Sequence, residues 1–140
     1  MDLAHVTVRQ SARARLFTEE EREVSVAATL RYTSADPLAV HLDFPPEAAL
    51  QGEPVTWTFG RALLEEGLNG PAGGGDVHIW PCGPERTVVE FHSPMGLALL
   101  QFDSAALRRF LLRSHAVVAP GSEDLTSAVD RGLDALLGKF

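Results

Sequence analysis

Residues 5–17 read HVTVRQSARARLF, and apolar side chains alternate with polar ones along this stretch. One face carries Val6, Val8, Ala12, Ala14 and Leu16. A period of two with a single apolar face is typical of a β-strand that is buried on one side. After the acidic residues 19–21, a second stretch alternates in the same way, with Val24, Val26, Ala28, Leu30 and Tyr32 on one face. Two such strands joined by a short polar loop predict an antiparallel hairpin.

The remaining chain continues this pattern and adds helices. Further strands are predicted at residues 40–44, 55–59, 75–81, 87–92 and 95–102. Helices are predicted over residues 60–70 and 105–114, and over 125–138, where Leu125, Val129, Leu133 and Leu136 repeat at helical spacing. Consecutive strands with short connections pair antiparallel. The predicted fold class is therefore α+β, with antiparallel sheets and packed helices, in a single domain spanning residues 1–140.

The apolar faces of these elements define a predicted core. We expect the following side chains to be mostly buried: Val40, Leu42, Phe44, Val55, Phe59, Val77, Ile79, Phe91, Leu107, Phe110 and Leu111. Trp57 and Trp80 also lie in predicted strands. Core packing is the commoner role for a strand aromatic, although tryptophan is also enriched at binding hot spots.

The charge of the chain disfavours nucleic acid as its main partner. It carries 19 acidic and 12 basic residues, which gives a net charge of -7, whereas phosphate binding depends on clustered lysine and arginine. Arg9, Arg13 and Arg15 share the polar face of the first strand. They could follow a single-stranded backbone, or they could pair with the glutamates at positions 19–21 and 23 across the hairpin, and the net charge favours pairing.

No stretch is apolar for long enough to act as a signal peptide or to span a membrane. The single cysteine, Cys82, cannot form a disulfide within the chain. Both observations predict a cytoplasmic protein without direct membrane insertion.

The sequence contains no spacing that is typical of an active site. His41 and Asp43 are the best pair for metal binding or acid–base chemistry because they share a strand face, but a solvated outer face explains them more simply. Cys82 lacks a recognisable base, and the glycine-rich residues 70–76 lack the Lys-Ser/Thr pair of a phosphate loop. We therefore predict no catalytic residues, no metal site, no cofactor and no enzymatic activity.

Four segments resemble the SsgA-like sporulation proteins of actinomycetes. They are LRYTSADPLAVHLDF (30–44), WTFGRALLEEGL (57–68), GPAGGGDVHIWP (70–81) and HSPMGLALL (92–100). The resemblance covers residues 3–137 and is strongest to the SsgB branch. It implies a role in septum formation during sporulation, at the cell septum, through binding of other proteins. The implied partners are the tubulin-like protein FtsZ, which the chain would recruit or whose assembly it would promote at division sites, and other SsgA-like or septation proteins. It also implies a fold like that of the plant whirly proteins, assembled as a homotrimer. Since whirly proteins bind single-stranded DNA, single-stranded nucleic-acid binding is the alternative function.

Two interaction surfaces are predicted together with this function. The partner surface is expected at exposed acidic positions, namely Asp36, Glu65, Glu66 and Asp76. The oligomer interface is expected at the first strand and the apolar stripes of the C-terminal helices, through Val6, Val8, Phe110 and Leu133.

Overall fold

The computed structural model describes residues 5–17, 23–46, 52–94 and 96–123. Within these ranges the chain forms seven strands: β1 (Thr7–Phe17), β2 (Glu23–Thr33), β3 (Ala39–Phe44), β4 (Val55–Gly60), β5 (Val77–Cys82), β6 (Arg86–Ser93) and β7 (Gly96–Asp103). It also forms two helices, α1 (Arg61–Asn69) and α2 (Ser104–Val117). The helix predicted over 125–138 and the acidic residues 19–21 lie outside the described residues.

All described strands pair antiparallel, which confirms the α+β class. The expected division into separate sheets is not observed, because the strands form one sheet in the order β4-β3-β2-β1-β7-β6-β5. Strand β1 pairs with β2 along its whole length, but it pairs with β7 only where Ala14–Phe17 meets Leu99–Phe102. We call this short β1–β7 pairing the seam. It is the contact that turns two groups of strands into a single sheet.

The sheet curls so that β4, at one edge, and β6, next to the other edge, contact each other through aromatic side chains on the inner side. Phe91 of β6 stacks on Trp57 of β4, with ring centroids 4.5 Å apart. The rings of Phe59 and Phe44 also surround Phe91, at 6.2 Å and 6.5 Å. Such offset and edge-on contacts are favourable arrangements of aromatic rings. Trp57 is therefore a partly buried residue that packs against the core and helps to close the curled sheet.

Both helices pack on the inner side of the sheet. Helix α1 lies against β5 so closely that a Cβ atom on Gly67 would be 2.3 Å from Cγ2 of Ile79. Helix α2 buries Leu107, Phe110 and Leu111. Among the described residues, no helix covers the opposite, outer face of the sheet. Neither helix has the length and apolarity that crossing a membrane would require.

The predicted core is confirmed at nine of its eleven positions, which are Val40, Leu42, Phe59, Val77, Ile79, Phe91, Leu107, Phe110 and Leu111. Phe44 is only partly buried. Val55 is 39% exposed, so its assignment to the core is wrong. It is the first residue of β4, an edge strand, and therefore has a neighbouring strand on one side only.

Candidate functional site

The four acidic residues of the predicted partner surface are all exposed. Asp36 lies in the turn between β2 and β3, Glu65 and Glu66 lie on α1, and Asp76 immediately precedes β5. The turn that holds Asp36 abuts the start of α1, because the amide of Arg61 donates a 2.8 Å hydrogen bond to the Leu38 carbonyl. The acidic positions therefore lie on α1, on the β2–β3 turn that contacts its first residue, and just before β5, the strand against which α1 packs. Their role in binding a partner stays a prediction.

The residues of the predicted oligomer interface differ in how far they are buried. Val6 is 53% exposed. Its amide donates a 2.9 Å hydrogen bond to the Ser34 hydroxyl, and its carbonyl accepts one of 2.9 Å from the Ser34 amide. Val8 is partly buried. Phe110 is completely buried within the chain, so assigning it to a subunit interface was wrong. The apolar stripe of α2 already packs against the sheet of its own chain. Leu133 lies outside the described residues.

A polar network occupies the outer face of β2, β3 and β4. Arg31 donates two hydrogen bonds to the Asp43 carboxylate, from Nε at 2.9 Å and from Nη2 at 3.1 Å. The Thr56 hydroxyl donates a third at 2.7 Å. The Arg31 hydrogen bonds lower the pKa of Asp43 and raise that of Arg31. His41 lies beside Thr58 at 2.9 Å instead of contacting Asp43. The carboxylate is thus held in a paired, ionised state, which does not suit a general base.

Arg61 is a buried cation that the sequence interpretation missed. Its side chain is 2% exposed. Nη1 donates to the carbonyls of Ser114 at 3.0 Å and Val118 at 2.7 Å, and Nη2 contacts Oε2 of Glu123 at 2.8 Å. The guanidinium also lies over the Tyr32 ring, 4.9 Å from its centroid. A positive charge at the carbonyl end of a helix is favourable because the helix dipole makes that end partly negative.

The environment of Arg61 shifts the pKa values of its neighbours. The hydrogen bond from Arg61 lowers the pKa of Glu123. Burial raises the pKa of Tyr32, whose hydroxyl donates a 2.8 Å hydrogen bond to the Pro37 carbonyl. One side chain at the start of α1 therefore ties together β2, the end of α2 and the segment after it. This cluster anchors the start of α1, the helix that carries the two exposed glutamates.

A second cluster missed at the sequence level lies on the outer face of β5 and β6. His78 is paired directly opposite Glu90, and His92 lies two residues further along β6 on the same face. The His92 ring nitrogen contacts the Glu90 carboxylate, and the His78 ring lies edge-on to His92 with centroids 5.2 Å apart. One ligand atom from each of the three residues lies within 4.8 Å of the others. The cluster is partly accessible to solvent.

Apolar side chains border this cluster on the same outer face. Trp80 is paired with Val88, and Phe17 is paired with Leu99. Phe17 is 37% exposed. Leu97, which is paired with His92 and lies in β7, is 38% exposed. Trp80 and Trp57 thus face opposite sides of the sheet, and only Trp57 contributes to the closed aromatic core.

The arginines of β1 are largely committed to neighbours within the hairpin. Nε of Arg15 lies 3.3 Å from the Glu23 carboxylate, which confirms the predicted pairing at this position. Arg13 donates a 3.2 Å hydrogen bond to the hydroxyl of Ser25. Both partners of the Arg15–Glu23 pair are about half exposed, so the pair contributes little to stability.

The family model described as "Streptomyces sporulation and cell division protein, SsgA" matches residues 26–123 of the chain. A sporulation-specific cell division protein SsgB from Salinispora tropica is 42% identical over 134 residues, which cover 94% of this chain and 93% of that protein. SsgB from Streptomyces coelicolor is 40% identical over 138 residues, covering 96% and 98% of the two chains.

Solved structures show the same similarity in three dimensions. The crystal structure of an SsgA-like sporulation-specific cell division protein from Thermobifida fusca superposes with a TM-score of 0.83. The match has 30% identity and covers 98% of this chain and 100% of that one. An SsgB structure from work on longitudinal cell division during sporulation of Streptomyces coelicolor matches with a TM-score of 0.77 and 39% identity, over 87% of this chain and 96% of that one.

Proposed function

The chain belongs to the SsgA family of sporulation and cell division proteins, within its SsgB branch, and we propose that it acts in septation without enzymatic activity, by binding FtsZ at division sites. FtsZ is proposed as the partner because the family resemblance implies it. We propose that this protein works at the septum on the cytoplasmic side of the membrane, together with other septation proteins.

The observation that carries the binding role is the exposed acidic surface around α1. Glu65 and Glu66 project from a helix whose first residue, Arg61, is anchored in the buried cluster at the end of α2. A rigid charged surface favours recognition because few degrees of freedom are lost on binding and because complementary charge speeds encounter. Asp36 and Asp76 are further exposed acidic residues, on the β2–β3 turn and just before β5.

The test is co-sedimentation of FtsZ polymers with the purified protein. We expect Glu65→Lys combined with Glu66→Lys to weaken binding and any stimulation of polymerisation, because the charge of the proposed surface is reversed. Glu53→Lys is the matched control, since Glu53 is exposed but lies outside this surface. Equal binding by the double variant and the wild type would place the FtsZ site elsewhere. No binding by the wild type would refute FtsZ as the partner.

We also propose that the protein assembles as a homotrimer with a whirly-like subunit fold, as the family resemblance implies. Val6 supports an interface at the start of β1, because it presents an exposed apolar side chain from a backbone that Ser34 holds in place. Light scattering at tens of micromolar tests the assembly. We expect a trimer mass for the wild type and a smaller mass for Val6→Asp. A monomer mass for the wild type would exclude the trimer.

A further inference from the structure

The cluster on the outer face of β5 and β6 combines three side chains that are good ligands for transition metals. His78 and His92 offer imidazole nitrogens, and Glu90 offers a carboxylate. We propose that these three residues form a binding site for one divalent transition-metal ion of the Zn²⁺ class. This proposal is independent of FtsZ binding, which was assigned to the surface around α1.

The backbone beneath the cluster is fixed by the sheet. Val77–Cys82 pairs in continuous register with Arg86–Phe91, and β6 is paired with β7 on its other side. Beyond the last of the β5–β6 pairs, the His92 amide donates a 2.8 Å hydrogen bond to the Asp76 carbonyl. The Cα atoms of the three ligands therefore keep their relative positions, and metal binding needs only side-chain rotation. A site on paired strands is preorganised in a way that a loop site is not.

The distances suit a small ion bound by nitrogen and oxygen. Zn²⁺ binds histidine nitrogens and carboxylate oxygens at about 2.0–2.2 Å in tetrahedral geometry, which places ligand atoms about 3.3 Å from each other. The three potential ligand atoms here already lie within 4.8 Å of one another. Changes in side-chain torsions close the remaining gap. Ca²⁺ and Mg²⁺ prefer sites made only of oxygen atoms, so the two imidazoles select against them.

A simple ion pair does not require all three residues. The contact between His92 and Glu90 would satisfy such a pair by itself, yet His78 is brought to the same point from the neighbouring strand. A second histidine–carboxylate pair among the described residues provides the comparison. His41 lies 3.4 Å from Asp36, but within the described ranges no third ligand accompanies that pair.

The surroundings determine what kind of site this is. Trp80 and Val88 lie on one side of the cluster, and Leu97 and Leu99 lie on the other. An apolar border lowers the local polarity and strengthens bonds between a metal and its ligands. Three protein ligands leave the fourth tetrahedral position open, so we infer that water completes the coordination sphere.

The direct test is titration of the full chain, without an affinity tag, with ZnCl₂ by calorimetry and with Co²⁺ by visible absorption. We expect one ion per chain. Loss of a side chain that only hydrogen-bonds to a metal ligand lowers metal affinity about 10–100-fold, so loss of a ligand itself in His92→Ala or Glu90→Gln should lower it at least tenfold. His41→Ala is the matched control, because it removes an imidazole that also lies beside a carboxylate, and its affinity should be unchanged.

A second measurement does not depend on any variant. Addition of Zn²⁺ to the wild type should shift the imidazole NMR signals of His78 and His92 and leave those of His41 in place. The proposal is overturned if the wild type binds no Zn²⁺ or if the His41 signals move instead. Unchanged affinity in a folded His92→Ala protein overturns it as well. Because FtsZ co-sedimentation is measured separately, failure of this site leaves the proposed function untouched.

Discussion

Arg61, the first residue of α1, donates a 2.7 Å hydrogen bond to the carbonyl oxygen of Val118, the residue that caps the C-terminal end of α2. One side chain thus joins the beginning of one helix to the end of the other. It does so while almost fully buried and paired with Glu123. Removal of one member of such a buried network is costly because the remaining polar groups lose their partner without regaining water.

We predict that Arg61→Ala lowers the free energy of unfolding by about 3–5 kcal/mol. Arg61→Lys should recover part of this loss, since an ammonium keeps the charge but cannot reproduce the planar guanidinium fork. Urea denaturation measures both variants. Arg109→Ala is the control, because Arg109 is exposed on α2 and should change stability by no more than about 0.5 kcal/mol. Equal losses in Arg61→Ala and Arg109→Ala would contradict the anchoring role.

The Arg61–Glu123 pair predicts a specific acid sensitivity. In the folded chain the pKa of Glu123 lies below its ordinary value of 4.5, and Arg61 is the main cause. As the pH falls through the unfolded-state pKa towards the lower folded-state pKa, the unfolded chain takes up the proton first, so stability decreases. Glu123→Gln should therefore be less stable than the wild type at neutral pH, and the difference should shrink with acidification. Urea denaturation between about pH 7 and about pH 3 tests this. A difference that stays constant over that range would be evidence against it.

Helix α2 offers a matched pair of core and surface substitutions. Phe110 is completely buried, whereas Leu112, two residues later, is 67% exposed. Phe110→Ala should cost about 3–5 kcal/mol through lost burial and the cavity left behind. Leu112→Ala should stay within about 0.5 kcal/mol of the wild type. Thermal or urea unfolding measures both. Similar costs at the two positions would mean that α2 presents a different face to the sheet.

The whirly-like alternative is tested by single-stranded DNA. We expect weak or no binding at physiological salt, because the net charge is -7 and Arg15 is already paired with Glu23. Fluorescence anisotropy with a labelled oligonucleotide at several salt concentrations is the measurement. Micromolar or tighter affinity with a steep salt dependence would support the alternative, provided that Arg13→Glu abolishes it.

The strands could be predicted because each is buried on one face. In β1, Ala12 and Ala14 are buried, while Arg13 between them and Arg15 after them are exposed, and this alternation is visible in the sequence. The seam could not be predicted in the same way. The pairing of Ala14 with Phe102 depends on backbone hydrogen bonds that nearly every residue can make. Alternation shows which way a side chain points, but it does not identify the neighbouring strand.

The buried cluster of Arg61 was missed because its members come from four separate segments. A local signal was nevertheless present. A cation in the first turn of a helix opposes the helix dipole, so Arg61 at the start of α1 needs a compensating partner from elsewhere. Its sequence neighbours Leu64 and Leu68 do mark the buried face of the helix, and both are buried as the pattern indicates.

The His78–Glu90–His92 cluster could have been found from hairpin register. Cys82 and Arg86 close the turn around Pro84, and counting outwards from that pair places His78 opposite Glu90. The spacing of the three residues along the chain does not reveal the cluster, because they lie on two different strands. The acidic partner surface presents a different difficulty. Asp36 and Glu65 are exposed as expected, but exposure alone does not identify what binds them.

The seam has a consequence for the order in which the chain folds. Each other strand pairing in the sheet joins neighbours in sequence, such as β2 with β3 or β5 with β6, and such local hairpins close within microseconds. The β1–β7 pairing instead joins opposite ends of the sheet-forming chain, and loop-closure entropy opposes it until both groups of strands exist. We therefore expect Leu16→Ala and Leu100→Ala, at a directly paired position of the seam, to accelerate unfolding while leaving the refolding rate nearly unchanged. Slowed refolding in stopped-flow experiments would show that the seam forms early.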